Sequence, residues 1–275
     1  MTSVAVLCRR RRRTMQALSA ALLLPAFPLT AQAQIALSTA INRAARFRAL
    51  SQRIAKAYCQ WHLNVLPEAA REVLSTSRQL VATGLSDLQR GLAGKPWPAS
   101  VTTPLEQLQR EASALQALLV DSPTRQGVQQ VAQQADRMLG AAQTLTEAIE
   151  KLSPVATARI VNQAGRQRML SQRMAKGYFL TAAGWGDKAL AQSMAADAAE
   201  FRQAMQELAK APISTPSIRG ELELGEQQWL FFEMALRQAG DSKGLTTIAT
   251  TSERLLEVLN RLADLYDAAL KDVLG

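Results

Sequence analysis

A stretch of seventeen residues occurs twice in this chain, and any fold it adopts must accommodate both copies. Asn42 to Tyr58 reads NRAARFRALSQRIAKAY, and Asn162 to Tyr178 reads NQAGRQRMLSQRMAKGY. Asn, Ala, Arg, Arg, Leu, Ser, Gln, Arg, Ala, Lys and Tyr recur at matching positions, with a constant spacing of 120. A repeat of that period signals duplication of a whole structural unit. From Gln34 onward the pattern is helical: Ala, Leu, Gln, Glu and Arg dominate, and apolar residues recur at three and four. Strand patterns are nearly absent. The expected fold class is all-α, two tandem four-helix-bundle units related by internal duplication. About 120 residues per unit suffice to bury a core of their own.

Breaker residues divide the chain into eight expected helices, near 36–65, 67–91, 104–120, 123–151, 154–183, 187–210, 217–239 and 244–273. Pro67 stops the first, because a residue before proline disfavours helix. Pro104 is expected in the first turn of the third helix. Ser122 and Ser153 are expected as N-caps of the fourth and fifth, each followed by proline. The units then span 34–153 and 154–275. The junction at Ser153 is short enough for the fourth and fifth helices to form one kinked rod.

Residues 1–33 have the make-up of a cleaved signal peptide. Arg9 to Arg13 form a basic start, an apolar run follows from Ala17 to Leu29, and Ala31-Gln32-Ala33 is an A-x-A cleavage signal. The apolar run is too short to span a membrane and holds Pro25 and Pro28. The mature protein is therefore expected in the periplasm. Losing this segment removes five arginines and takes the formal charge from +9 to +4, which removes the case for a nucleic-acid partner. Cys59 is then the only cysteine, so no intramolecular disulfide is expected. His62 is the single histidine, and there is no ligand cluster for zinc, haem or an iron–sulfur centre. No metal and no cofactor are expected. No further run of about twenty apolar residues follows, so the mature chain is expected to lack a transmembrane segment. With no nucleophile–base pair and no glycine-rich phosphate loop, an enzyme is not expected.

On a helix, Ala44, Arg48, Ser51, Ala55 and Tyr58 share one face, as do Ala164, Arg168, Ser171, Ala175 and Tyr178. Small residues there let two helix backbones approach. The arginine is the exception, since a guanidinium in a close helix contact is costly unless paired. Two units related by an approximate two-fold axis bring Arg48 and Arg168 face to face. A small planar oxyanion between them converts repulsion into charge-assisted, bidentate contacts. Ser51, Ser171, Gln52 and Gln172 are candidate neutral donors to the same ligand. A second stripe holds Asn42, Arg46 and Arg53, repeated as Asn162, Arg166 and Arg173. It is either an outer ring of that site or a solvated helix face. The competing role for Arg48 and Arg168 is a salt bridge to Glu68, Asp136, Glu147 or Glu200. Side-by-side and end-to-end arrangements of the units both remain open at this point.

The strings INRAARFRALSQR from Ile41 and VNQAGRQRMLSQR from Val161 carry a family resemblance. The chain resembles the PilJ-type N-terminal domain of type IV pilus methyl-accepting chemotaxis transducers. It is also similar to the periplasmic sensor domain of nitrate/nitrite sensor histidine kinases. The resemblance implies a four-helix bundle in which one nitrate binds on a dimer axis, held by the same arginine from each subunit. That arginine matches Arg168, and Arg48 in the first copy. Ala45 departs from the pattern that Gly165 keeps, and Arg46 and Arg166 bring charge where the nitrate sensors carry a small residue. The expected function is that of a soluble periplasmic sensory protein binding nitrate or nitrite between the two arginines. Such a protein informs a membrane-bound signalling partner. The alternative is a protein-interaction module of a pilus or chemoreceptor system with no small-molecule ligand.

Overall fold

The computed structural model describes residues 36–93, 96–119, 122–154 and 156–274. The segment 1–33, read above as a signal peptide, lies outside them. The described residues form eight α-helices and no strand. In order they are α1 (Leu37–His62), α2 (Pro67–Leu92), α3 (Ala99–Ala117), α4 (Arg125–Glu150), α5 (Ala158–Leu180), α6 (Lys188–Ala209), α7 (Pro216–Leu236) and α8 (Ser242–Leu274). A π-helical turn, Thr181–Trp185, follows α5.

Most helix starts follow from local capping chemistry. Thr124 caps α4 by accepting from the Gly127 amide at 3.0 Å, and Asp187 caps α6 by accepting from Leu190 at 2.7 Å. Thr215 does the same for α7, and Pro67 and Pro216 sit where a missing amide costs nothing. Three expected starts are corrected. Helix α3 begins at Ala99, because the Val101 and Thr102 amides already bond the Pro98 carbonyl, so Pro104 lies inside the helix. Thr124, not Ser122, caps α4, since Pro123 precedes the first helical residue. Ser153 does not cap α5, which is approached through turns that close Arg159 on Ala156 and Ile160 on Thr157. Helices α4 and α5 are consequently separate and do not form one rod.

The two halves pack alike. Helix α1 lies against α2 and α4, and α3 lies against α4; α5 lies against α6 and α8, and α7 against α8. The halves join side by side, because α1 also packs along α5 and touches α8. The described residues thus share one compact body. Its apolar interior includes Phe47, Ile54, Leu88 and Leu145 in the first half and Phe179, Phe201, Phe232 and Tyr266 in the second. Trp229 belongs to that interior and stacks on Phe201 at 4.2 Å between centroids. The repeated stretches occupy the middle of α1 and α5, so the most buried surface of the molecule carries its most polar motif.

Candidate functional site

The crossing of α1 and α5 holds two of the largest fully buried side chains in the protein, and both are arginines. Arg48 is 0% exposed and Arg168 is 1% exposed. Their contacts are reciprocal. Arg48 donates from Nη2 to the Asn162 carbonyl at 3.1 Å, and Arg168 donates from Nη2 to the Asn42 carbonyl at 3.3 Å and to Asn42 Oδ1 at 2.8 Å. Asn42 and Asn162 are themselves repeat equivalents. Each arginine therefore reaches the other copy's asparagine, as across a two-fold axis.

The approach is closest at Gly165. A Cβ built there lies 2.8 Å from Ala45 Cβ, 3.1 Å from Arg168 Nη2 and 3.4 Å from Arg48 Nη2. Both guanidinium groups thus converge on one point, and glycine is what leaves that point open. Gly165→Ala is expected to lower stability by about 1–3 kcal/mol through overpacking, because the first neighbour it meets, Ala45 Cβ, is fixed to the α1 backbone and cannot swing away. Chemical denaturation of the variant against the wild type measures this.

No carboxylate forms an ion pair with either arginine among the described residues. Arg48 donates from Nη1 to Gln143 Oε1 at 2.6 Å and weakly from Nε to the Ala45 carbonyl at 3.4 Å. Arg168 Nε is buried and has no acceptor. Burial pushes Arg48 down to about 9, helped by Arg166 and Arg168 and opposed by Glu147 and Glu150. Burial likewise pushes Arg168 down to about 10, with Arg46 acting in the same sense and Asp264 against it. Both remain cations at neutral pH, held in a place that disfavours charge.

Of the acids weighed as partners, Glu68 pairs with Arg71, Asp136 with Lys176 and Glu200 with Arg166, while Glu147 accepts from the Gln143 amide and acts on Arg48 only through its field. The neutral donors are also committed. Ser51 and Ser171 turn back onto the Arg48 and Arg168 carbonyls at 2.8 and 2.9 Å. The Gln52 amide reaches Asp136 and the Ala135 carbonyl, and the Gln172 amide reaches the Ser252 carbonyl at 3.0 Å. Of the second stripe, Arg53 binds Glu253, Arg166 binds Glu200 and Arg173 binds Asp197. These three arginines are neither a ring around the crossing nor a solvated face, because a carboxylate on a neighbouring helix holds each one. Arg46 is exposed. Asn42 and Asn162 belong to the crossing itself.

Sequence reasoning missed a second reciprocal pair. Lys56 on α1 is fully buried, donates to Ser252 Oγ at 3.1 Å and pairs with Glu253 on α8. Lys176 on α5 pairs with Asp136 on α4 at 2.6 Å. Each lysine thus reaches an acid of the opposite half. Burial lowers both lysines and the acids raise them back in part. Burial alone raises Glu253, but Lys56 and Arg53 outweigh it and hold the carboxyl at about 2. The signal was present in the repeat: positions 48, 52 and 56 step by four along one face, and all three residue types recur in the second copy.

A family model for the N-terminal domain of type IV pili methyl-accepting chemotaxis transducers matches residues 29–151 and again residues 153–255. Comparisons with curated proteins and with solved structures returned no match. Among the described residues, no helix is long and apolar enough to cross a membrane.

Proposed function

Because the chain belongs to the family of type IV pilus methyl-accepting chemotaxis transducer N-terminal domains, we propose that it is a periplasmic sensory protein for a small planar oxyanion. Nitrate or nitrite is the ligand put forward, held between Arg48 and Arg168. In this reading residues 1–33 direct secretion, 34–153 and 154–275 are two family units, and the pair supplies in one chain a site that otherwise takes two subunits. The observation that carries it is the convergence of two buried guanidinium groups on the Gly165 position without a carboxylate. An arginine has five N–H donors. The bonds to Asn162, Gln143 and Asn42 therefore leave donors on both sides, including the bare Nε of Arg168. A planar oxyanion fits such forks and supplies the missing negative charge.

Titration calorimetry of the purified chain against nitrate, nitrite, sulfate and acetate tests the reading. One nitrate or nitrite per chain is expected, with a rise in melting temperature, because a ligand bound only to the native state stabilises it. Absence of heat and of any thermal shift with all four anions rejects it. The second reading, an interaction module without a small ligand, is favoured by Leu230, Phe231 and Met234 on α7, which are exposed by 59%, 60% and 66%. In that case the neighbouring signalling protein of a pilus or chemoreceptor system is the ligand, and anions leave the melting temperature unmoved.

A further inference from the structure

Two grooves on the protein are repeat equivalents, yet only one has its carboxylate fully paired. The first runs between α8 and the α1–α2 turn, with Gln60, Leu66, Thr250 and Glu253 along it. The second runs between α4 and the π-helical turn, with Leu180, Gly186, Gln133 and Asp136 at the matching places. The register is pinned by two equivalent bonds, from the Gln52 amide to the Ala135 carbonyl and from the Gln172 amide to the Ser252 carbonyl. One residue further along, Asp136 corresponds to Glu253.

Glu253 meets two cations. Arg53 Nε lies 3.2 and 3.1 Å from its two oxygens, and Lys56 takes Oε1 as well. Asp136 meets one. Lys176 and the Gln52 amide both donate to Oδ1, at 2.6 and 3.1 Å. Oδ2 accepts no hydrogen bond among the described residues, and the Asp136 side chain is 54% exposed in the groove. The cause is a single difference between the repeats. Arg173 is the counterpart of Arg53, but its Nε donates to Asp197 Oδ2 at 2.7 Å. Asp197 stands where the first half has Ser77, whose hydroxyl takes one donor from Arg53 at 3.2 Å and leaves the others for Glu253. An acid at position 197 has drawn the arginine away from Asp136.

We infer that the groove beside Asp136 binds a small organic cation, a primary ammonium or guanidinium on an alkyl chain, which takes the place that Arg53 fills beside Glu253. The groove has room for it, about 500 Å³ against about 260 Å³ in the first. Trp185 supplies an apolar wall for the alkyl chain. Its ring is held by Arg125, whose guanidinium lies 4.8 Å from the ring centroid and donates to the Ala183 carbonyl at 3.2 Å. The site stands independently of the oxyanion reading, since it uses neither Arg48 nor Arg168.

The test is calorimetry of the full chain with agmatine and cadaverine, with 1-pentanol as the neutral counterpart, and NMR of the Trp185 indole as a local report. Both amines are expected to bind and shift the Trp185 signal, and pentanol is not. Asp136→Asn is expected to weaken amine binding by roughly tenfold or more. Asp197→Ser is expected to do the same with the Asp136 carboxylate intact, because Arg173 then returns to it. That second variant keeps Lys176 paired, so its result does not depend on whether Asp136→Asn folds. Failure of both amines to bind, equal binding of pentanol, or unchanged affinity in Asp197→Ser overturns the inference.

Discussion

Glu253→Gln is expected to lower the unfolding free energy of this protein by about 3–5 kcal/mol. Among the described residues, Glu253 is the one acid that serves two cations of the opposite half, and one of them, Lys56, has no exposed surface. An amide keeps the shape and loses the charge, which leaves an ammonium buried without its counter-ion. For a chain of this size each kcal/mol moves the melting temperature by about 2–4 °C, so a fall of roughly 10 °C is expected. The triple variant Arg53→Met, Lys56→Met, Glu253→Leu is expected to recover most of it, because removing all three charges removes the desolvation cost with them. A single variant that melts within about 2 °C of the wild type refutes the cross-brace.

The same residue sets the acid limit. Glu253 titrates at about 2 in the folded protein against an ordinary value of 4.5. A carboxyl whose folded value is depressed stabilises above the unfolded value, and that contribution is lost as pH falls toward the folded one. About 3 kcal/mol of stability from this group is therefore present above pH 4.5 and disappears between 4.5 and 2. Denaturation profiles over that window are expected to fall steeply in the wild type. In Glu253→Gln, which starts lower, they are expected to fall less.

Much of this was legible because the repeat states its own rules. Duplicated spacing and the breaker residues yield eight helices in order, and the face shared by Ala44, Arg48 and Ser51 marks the surface that α1 turns to α5. What was not legible depends on the other helices. Arg53, Arg166 and Arg173 look alike on a helical wheel, and only the placement of Glu253, Glu200 and Asp197 on neighbouring helices shows that each is held. Asn42 and Asn162 were assigned to an outer stripe because the wheel separates them from Arg48 and Arg168. Across a crossing the relevant neighbour is the other copy's residue, and there asparagine meets arginine. Helix starts depart from the proline-based expectation because α3 closes its first turn on the Pro98 carbonyl, six residues before Pro104, and α4 is capped by Thr124, one residue after Pro123.

Arg168→Met separates a ligand role from a bracing role at the crossing. A brace predicts a less stable protein, because the variant loses the contacts to the Asn42 carbonyl and Oδ1. The physical balance points the other way. The Asn42 carbonyl lies within α1, where the backbone amide four residues on already satisfies it. Against that loss, which for the buried Asn42 Oδ1 is about 1–3 kcal/mol, stands the removal of a buried cation that has no carboxylate and sits beside a second one, Arg48. Replacing such a charge by an apolar side chain of similar length is commonly neutral or stabilising by about 1–4 kcal/mol. Without ligand, Arg168→Met is therefore expected to melt at or above the wild-type temperature. Nitrate is expected to raise the melting temperature of the wild type but not of the variant, whose affinity falls roughly a hundredfold or more with the loss of about 3 kcal/mol of charge-assisted bonding. Arg48→Met is expected to lose the response to the same degree, because the two guanidinium groups act on one ligand. A variant that melts well below the wild type yet still responds to nitrate assigns these arginines to the fold alone, and moves the sensing surface elsewhere on the molecule.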